Sequence, residues 1–465
     1  MPTQYKRSCG ALAADFIRNA TSRLRAEASA SQGSTHSREI ATLVRIFPTL
    51  LLLGTALLCD VTGSAAAEAV PVEEWRAKIR ANFFIPTPLP ARDPQTHRHF
   101  KPDPAVRAEA VTYTSQFGLR VPGILYLPNP LPKTANGKIP AFIVVNGHGG
   151  DKYSWYAYYT GILYARAGAA VLTFDPIGEG ERNAARKSGT RAHDMIKGDA
   201  TLARRLCGLL MTDVMQAAAY LAERPEVDAS RIGAGGYSLG SFVLALAGAV
   251  EPRLRACVMV GGGNLDDPNG YWDISKPMCQ GLPYRSLDFL GDRPAAIYAL
   301  HAARGPSLLF NGAADSVVAM PRLGEAFLSD VRTRVQRLHG RSEGVFDFVM
   351  VPAVSHRPFF VTRPVVAWLD RQLDLPRWTP AEIEALPETR ISDWVAKHRI
   401  TVDKGYASEE REGGTPALLD DVPGFTRDDL SVLTEAAWTE QRSRFVLESW
   451  LTEARRQPNE YRAVR

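Results

Sequence analysis

The chain has 465 residues, of which 45% are hydrophobic and 23% charged, and its formal net charge is +5. This composition is typical of globular proteins, and the length allows one large domain with additions or two domains. Basic residues are interspersed with acidic ones and form no long run, so we expect no nucleic-acid partner.

Residues 1–69 are predicted to form an export region. Arg45 precedes an apolar run at 46–59, and small residues follow at 63–69 in the pattern of a signal-peptide cleavage site. The apolar run is too short and too interrupted to span a bilayer comfortably. Residues 1–39 are either a long polar leader or the result of a start assigned too early. We expect a secreted or periplasmic protein without stable membrane insertion after signal removal.

The mature chain is predicted to begin with a short N-terminal helix at 70–82 and a proline-rich connector that ends at 105. Strands then alternate with helices, which indicates a mostly parallel central sheet with helices on both faces. The predicted strands are 108–115, 119–127, 140–146, 169–174, 231–232, 256–260, 307–310 and 346–351. The predicted helices are 155–168, 202–224, 241–250 and 362–373. The α/β domain is expected over residues 106–375.

Two regions fall outside this simple alternation. The connection at 261–305 contains several aromatic residues, and it is either a small lid over a pocket or a surface excursion with one crossover helix. Residues 376–465 are predicted to be a helical C-terminal extension, with a capping box at 379–382 and a second helix from Thr426 toward Arg456. The extension is expected to pack on the main domain or on a partner subunit.

The five residues from Gly236 to Gly240 read Gly-Tyr-Ser-Leu-Gly and fit the G-x-S-x-G pattern of a nucleophile elbow. In such an elbow Ser238 lies in a tight strand-to-helix turn, and the N–H groups of the following helix favour negative charge beside it. The same pattern also occurs by chance in glycine-rich turns of α/β proteins. The assignment therefore depends on the partners that an activated serine needs.

A catalytic serine needs a base and an acid that orients the base, in the chain order serine, acid, histidine. His356 follows the last predicted strand and is the candidate base, although it fits a surface-loop histidine as well. Asp315 lies in the turn after the preceding strand and is the first candidate acid, although it also fits a helix cap. Asp266 and Asp267 are the alternative acids.

The oxyanion that forms in such a reaction needs two N–H donors. The first is expected at Leu239, directly after the serine. The second is expected in the glycine-rich run at 146–152, with Gly150 as first choice and Gly149 as second. His148 in this run is expected to be structural, with its ring bonded to neighbouring backbone.

Substrate contacts are expected from Tyr237, beside the serine, and from Trp272 in the 261–305 connection. The spacing of the cysteines beyond the export region resembles neither a disulfide framework nor a zinc site. Buried thiols are favoured over one disulfide among these residues, which are Cys207, Cys257 and Cys279. We expect no metal and no organic cofactor.

Together these residues resemble the α/β-hydrolase superfamily, and within it the acetyl xylan esterase and dienelactone hydrolase-like branches. The motifs that carry the resemblance are His148-Gly-Gly, the turn at 174–182, Gly-Tyr-Ser238-Leu-Gly, Gly-Ala-Ala-Asp315 and Ser-His356. Dienelactone hydrolases proper carry a cysteine nucleophile, so the serine implies an esterase. The resemblance implies a small-molecule or carbohydrate ester as the substrate.

Two alternative functions remain open. The first is a serine peptidase of the prolyl-oligopeptidase kind, whose catalytic domain shares this order of residues, although no repeated propeller blades precede the domain here. The second is a non-catalytic hydrolase-fold binding protein. The oligomeric state is not predicted.

Overall fold

The structure is a computed structural model that describes residues 70–267, 270–271, 276–400 and 409–459. The predicted export region and Trp272 therefore lie outside the described residues. The described residues belong to one compact unit. Among the described residues, each helix is too short or too polar to cross a bilayer.

The central sheet contains nine strands within the described part of the chain. They are β1 (Gln95–Asp103), β2 (Val106–Thr114), β3 (Arg120–Pro128), β4 (Ile139–Val145), β5 (Ala170–Phe174), β6 (Val227–Tyr237), β7 (Leu254–Val260), β8 (Ser307–Gly312) and β9 (Phe346–Val351). Their spatial order is β1-β2-β3-β5-β4-β6-β7-β8-β9. The first three strands pair antiparallel, whereas β5, β4, β6, β7, β8 and β9 are parallel. The predicted mostly parallel α/β-hydrolase sheet is confirmed.

Within the described residues, the α-helices of six or more residues lie before, between and after these strands. They are α1 (Val72–Asn82), α2 (Trp155–Arg166), α3 (Ala200–Glu223), α4 (Leu239–Val250), α5 (Arg293–Ala302), α6 (Met320–His339), α7 (Arg363–Leu373), α8 (Pro380–Ala385), α9 (Ile391–His398), α10 (Glu435–Gln441) and α11 (Leu447–Arg456). The predicted capping box begins α8, where the Thr379 side chain accepts from the Glu382 N–H and the Glu382 carboxylate accepts from the Thr379 N–H.

Strand β4 shows how the sheet separates two hydrophobic cores. All seven of its residues are buried, as is expected for a parallel strand covered on both faces. Ile143 belongs to the core that contains α3 and α4, whereas Phe142 and Val144 belong to the core that contains α2 and α7. This alternation follows from the two-residue period of a strand. Helices therefore cover both faces.

The proline-rich connector predicted up to residue 105 is wrong in its second half, where β1 forms an edge strand. Its sequence is polar, contains Pro102, and shows no apolar run that would predict a strand. An edge strand needs a partner on one side only, and β1 pairs antiparallel with β2 alone. Polar residues and proline are tolerated there because one edge faces solvent.

The C-terminal extension packs on the main domain. Trp394 is fully buried, and its ring contacts those of Trp155 and Tyr159. The single helix predicted from Thr426 to Arg456 is wrong, because the chain forms α10 and α11 with irregular segments before and between them. In the segment before α10, the Val432 and Leu433 N–H groups donate to the Glu181 carboxylate, each at 3.0 Å. These bonds replace helical ones.

Candidate active site

Ser238 lies in the sharp turn between β6 and α4. Its backbone has φ +53° and ψ −117°, a conformation that is costly for a residue with a side chain. The flanking glycines are required by packing, because a Cβ atom on Gly236 would overlap Gly240 backbone and one on Gly240 would overlap Val145 backbone. The Ser238 N–H donates to the Val260 carbonyl at 2.8 Å, which ties the turn to β7. The local geometry is that of a nucleophile elbow.

The two other predicted catalytic side chains meet each other. Asp315 follows β8 and His356 follows β9, so both lie at the carboxyl end of the parallel sheet. Asp315 Oδ2 lies 2.7 Å from His356 Nδ1, and both residues are buried. Asp315 Oδ1 also accepts from the Val317 N–H at 3.0 Å, which fixes the carboxylate. This arrangement favours the His356 tautomer that carries its proton on Nδ1.

The His356 ring is positioned beside the serine turn by a pair of glycines. A Cβ atom on Gly261 would lie 2.6 Å from His356 Cε1 and 3.4 Å from His356 Nε2. A Cβ atom on Gly262 would lie 3.3 Å from the Ser238 carbonyl oxygen. Within the described residues, His356 Nε2 is buried and makes no hydrogen bond. The imidazole therefore has one nitrogen held by Asp315 and one that is unused.

Asp266, one of the two alternative acids, has a different role. Its two carboxylate oxygens accept from Arg293 Nε and Nη2, each at 2.9 Å. This two-point ion pair joins the connection after β7 to the start of α5. Asp315 is thus the acid, of these two, that contacts His356.

The run from Gly147 to Gly150, called the glycine loop below, lies next to the serine. A Cβ atom on Gly147 would be 3.2 Å from Ser238 Cβ. The Gly150 N–H donates to the Gly147 carbonyl at 3.1 Å, so the prediction of Gly150 as an oxyanion donor is corrected. The Gly147 N–H donates to the Tyr156 hydroxyl oxygen at 3.2 Å. Within the described residues, the N–H groups of His148 and Gly149 remain without a hydrogen bond.

Tyr237 does not present its side chain to a substrate, so its predicted role is corrected. The residue is only 4% exposed, and its ring centroid lies 5.0 Å from that of His356. Its hydroxyl donates to Glu412 Oε1 at 3.0 Å, and Trp155 Nε1 donates to Glu412 Oε2 at 3.2 Å. Burial, followed by the nearby Glu412 charge, raises the pKa of Tyr237 well above its usual value. The Tyr237 ring thus packs against the His356 ring and helps to hold it in place.

Glu412 is a residue of the C-terminal extension that the sequence analysis did not identify. It lies 175 positions after Tyr237 in the chain and has no motif around it. Arg357, the residue after His356, donates from Nη1 to the Gly414 carbonyl at 2.6 Å. The segment around Glu412 therefore also contacts the loop that carries His356. A single acidic residue without a surrounding motif gives no sequence signal of such a role.

The 261–305 connection contains the predicted crossover helix, which is α5. Its described part also includes a helical turn, Pro277–Gly281, that packs against α3. Cys279 in this turn lies 3.3 Å from His148 Nε2, so the connection reaches the glycine loop. The ring of His148 therefore contacts side chains rather than neighbouring backbone, which corrects the expectation. The lid remains a prediction.

The sequence matches a family model and several curated proteins. Residues 92–261 match the family model of acetyl xylan esterase (AXE1). The alpha/beta hydrolase ucsC of Acremonium sp is 33% identical over 165 residues, which are 35% of this chain and 28% of that protein. The hydrolase pyiE of Pyricularia grisea is 34% identical over 147 residues, which are 30% of this chain and 28% of that protein. The matched segment spans less than a third of these curated relatives.

Solved structures show a more distant likeness. Methylesterase BT1017 is 20% identical, with a TM-score of 0.49 and coverage of 80% of this chain and 76% of that chain. Acetyl xylan esterase 1 from Thermoanaerobacterium sp. JW/SL YS485 is 18% identical, with a TM-score of 0.44 and coverage of 67% and 95%. The sheet topology and the serine turn are those of the α/β-hydrolase fold, and residues 92–261 are similar to acetyl xylan esterases.

Proposed function

We propose that the chain is an exported serine hydrolase that cleaves carboxylic esters through Ser238, His356 and Asp315. The observation that carries the proposal is the buried His356 ring, held by Asp315 at Nδ1 and without a partner at Nε2, beside the strained turn of Ser238. A base with one fixed and one unused nitrogen is what a serine nucleophile requires.

In the first half of the reaction, Ser238 Oγ attacks the ester carbonyl carbon while His356 Nε2 accepts the hydroxyl proton. Asp315 stabilises the imidazolium that forms. The carbonyl oxygen becomes an oxyanion, which accepts hydrogen bonds from the Leu239 N–H and from the N–H of His148 or Gly149 in the glycine loop. The oxyanion then collapses, and the alcohol leaves with the proton from His356.

In the second half, water attacks the acyl group on Ser238, and His356 Nε2 accepts a proton from that water. The tetrahedral intermediate uses the same N–H donors. Its collapse breaks the bond to Ser238 Oγ, which takes the proton back from His356 and releases the carboxylic acid. Every step uses side chains and backbone N–H groups of this chain together with water.

We further propose that the substrate is an acylated carbohydrate and that the reaction is a deacetylation. The match of residues 92–261 to acetyl xylan esterase supports this substrate class, and the signal-like sequence of residues 1–69 supports export. Both are proposals about the whole protein, since the matched segment is shorter than half of the chain.

The test compares the full chain with Ser238→Ala. We expect the wild type to hydrolyse p-nitrophenyl acetate and to be labelled by a fluorophosphonate probe, and Ser238→Ala to lose labelling and about 10⁴-fold or more of kcat/KM. Ser230→Ala, which alters an exposed serine at the other end of β6, is the matched control and should keep both. Hydrolysis by Ser238→Ala at the wild-type rate would contradict the proposed nucleophile.

A second panel separates the alternatives. An esterase should release acetate from acetylated xylo-oligosaccharides and leave proline-containing peptide amides intact. Faster cleavage of the peptide amides would favour the peptidase of prolyl-oligopeptidase type. Absence of both labelling and hydrolysis in correctly folded wild type would favour the non-catalytic binding protein.

A further inference from the structure

Four side chains with metal-ligating atoms meet beside the glycine loop, outside the proposed triad. They come from separate segments of the chain: His148 from the glycine loop, His193 and Asp194 from the turn Ala192–Met195, and Cys279 from the turn Pro277–Gly281. One ligand atom from each lies within 4.8 Å of the others. The spacing of these residues along the chain did not predict a metal site.

We propose that His148, His193, Asp194 and Cys279 bind one zinc ion, which fastens the glycine loop to the two neighbouring turns. Imidazole nitrogen, thiolate sulfur and carboxylate oxygen are the ligand types that zinc prefers. Four protein ligands close the coordination sphere, so the site is structural rather than catalytic.

The distances fit a tetrahedral ion. Zinc–nitrogen and zinc–sulfur bonds of about 2.0 to 2.3 Å place tetrahedral ligand atoms about 3.3 to 3.8 Å apart. Asp194 Oδ1 lies 3.2 Å from His148 Nε2, 3.1 Å from His193 Nε2 and 3.6 Å from Cys279 Sγ. His148 Nε2 lies 3.3 Å from Cys279 Sγ. The same four atoms thus supply four of the six edges of a tetrahedron, each within about 0.2 Å of the required range.

Burial explains why hydrogen bonds alone do not account for the cluster. His193 is fully buried, and within the described residues neither of its ring nitrogens has a hydrogen-bond partner. His193 Nε2 lies close to the Asp194 carboxylate, but the two groups lack the geometry of a hydrogen bond. Two ligand atoms of a common metal ion have this kind of close approach. An unsatisfied buried ring costs about 1 to 3 kcal/mol, and a metal bond removes that cost.

The charges also balance. A carboxylate and a thiolate carry two negative charges, which neutralise Zn²⁺ when both imidazoles are neutral. Lys276 Nζ lies 3.6 Å from Asp194 Oδ2, the carboxylate oxygen that does not face the two histidines. Such an outer contact orients a carboxylate that binds metal through its other oxygen.

The turn that carries His193 and Asp194 is held from outside the cluster as well. The Glu179 carboxylate accepts from the Thr190 N–H at 3.1 Å and from the Arg191 N–H at 2.6 Å. Because both donors directly precede the turn, the backbone is positioned before any ion binds. A preorganised ligand set of this kind raises metal affinity.

The first test measures metal content of the purified full chain. We expect about one zinc per chain by plasma mass spectrometry after equilibration with Zn²⁺ and removal of the excess. Removal by a strong chelator should lower Tm by about 4 °C or more, and added Zn²⁺ should restore it. Substoichiometric zinc together with an unchanged Tm would overturn the proposal, because the cluster would then be a hydrogen-bonded one.

Cobalt gives a readout that identifies the sulfur ligand. Co²⁺ in the wild-type site should show strong visible absorption typical of tetrahedral coordination and a thiolate charge-transfer band in the near ultraviolet. Cys279→Ser should lose the charge-transfer band. Cys257→Ser is the matched control, since Cys257 is an equally buried thiol of β7, and it should keep the band. Retention of the band in Cys279→Ser would contradict the assignment.

Variants of the second histidine and of the serine complete the design. His193→Ala should reduce zinc content to about a tenth or less. Ser238→Ala should bind zinc as the wild type does, so failure of the metal site and failure of the proposed hydrolase function remain distinguishable. Full zinc content in both His193→Ala and Cys279→Ser would overturn the site.

Discussion

The loops at the carboxyl end of the sheet and the C-terminal extension bury polar groups to the same degree but use them differently. His356 leaves Nε2 without a partner within the described residues, whereas Glu412 has both carboxylate oxygens hydrogen-bonded, to Tyr237 and to Trp155. A buried polar atom without a partner is costly unless it has a task. From this comparison we infer that the partnerless nitrogen belongs to the proposed base and that the fully hydrogen-bonded carboxylate supports it.

Asp315→Asn should break the proposed triad most severely. The amide can still fill the space, but it no longer stabilises the imidazolium or fixes the tautomer of His356. We expect kcat/KM for p-nitrophenyl acetate to fall about 10³- to 10⁴-fold. Asp266→Asn is the control and should cost less than about threefold, because Asp266 pairs with Arg293. Equal losses in the two variants would contradict the choice of acid.

Gly261→Ala tests whether the position of the His356 ring matters. The new Cβ atom would lie 2.6 Å from His356 Cε1, so the imidazole must move. We expect about a 10²-fold loss of kcat/KM, in line with the cost of misplacing a catalytic group by about 1 Å.

The matched control for that variant is Gly291→Ala. Gly291 has the same φ of +67°, but an added Cβ atom there meets no atom within 4 Å. Both variants should lose about 1 to 2 kcal/mol of stability to backbone strain, and only Gly261→Ala should lose activity. Parallel loss of activity in both variants would show that strain alone accounts for the effect.

Glu412→Ala tests the support given by the extension. Removal of the carboxylate leaves the Tyr237 hydroxyl and the Trp155 N–H buried without this acceptor. The Tyr237 ring, which packs against His356, is then held less firmly. We expect about a tenfold fall in kcat with little change in KM. Glu412→Gln keeps an acceptor oxygen and should recover most of the rate. If Gln were as slow as Ala, charge rather than hydrogen bonding would be responsible.

Trp394→Ala should affect stability far more than chemistry. The fully buried indole contacts three aromatic residues of α2 and donates to the Val422 carbonyl at 2.7 Å. We expect a loss of about 3 to 5 kcal/mol in the free energy of unfolding, measured with urea. Below the transition, kcat/KM should stay within about twofold. A large activity loss in the folded variant would place this part of the extension in the site.

The sequence predicted the parts of the site that local motifs determine. Ser238 and its glycines form a continuous pattern, and Asp315 and His356 each follow a predicted strand, which is why their meeting could be expected from chain order. The fold followed from apolar runs such as that of β4. The edge strand β1 was missed because its residues are polar, and the long helix expected after Thr426 was wrong because of the distant Glu181 carboxylate.

The remaining features depend on contacts between distant segments. Glu412 has no motif, and its role is visible only once the extension packs against Tyr237. Gly150 was the first choice of oxyanion donor because glycines approach a substrate easily, but a local turn uses its N–H. The cluster of His148, His193, Asp194 and Cys279 has no zinc-like spacing, since its members are joined only by the folded chain.

The contact between Tyr237 and Glu412 has a consequence for the order of events during biosynthesis. A ribosome makes Tyr237 long before it makes its hydrogen-bond partner, which follows 175 positions later. The strands of the sheet and the serine turn all precede Glu412 in the chain, so the support for the imidazole is the last of these parts to be made. We therefore expect a chain that ends before Glu412 to lack full activity in the proposed hydrolysis even when it folds.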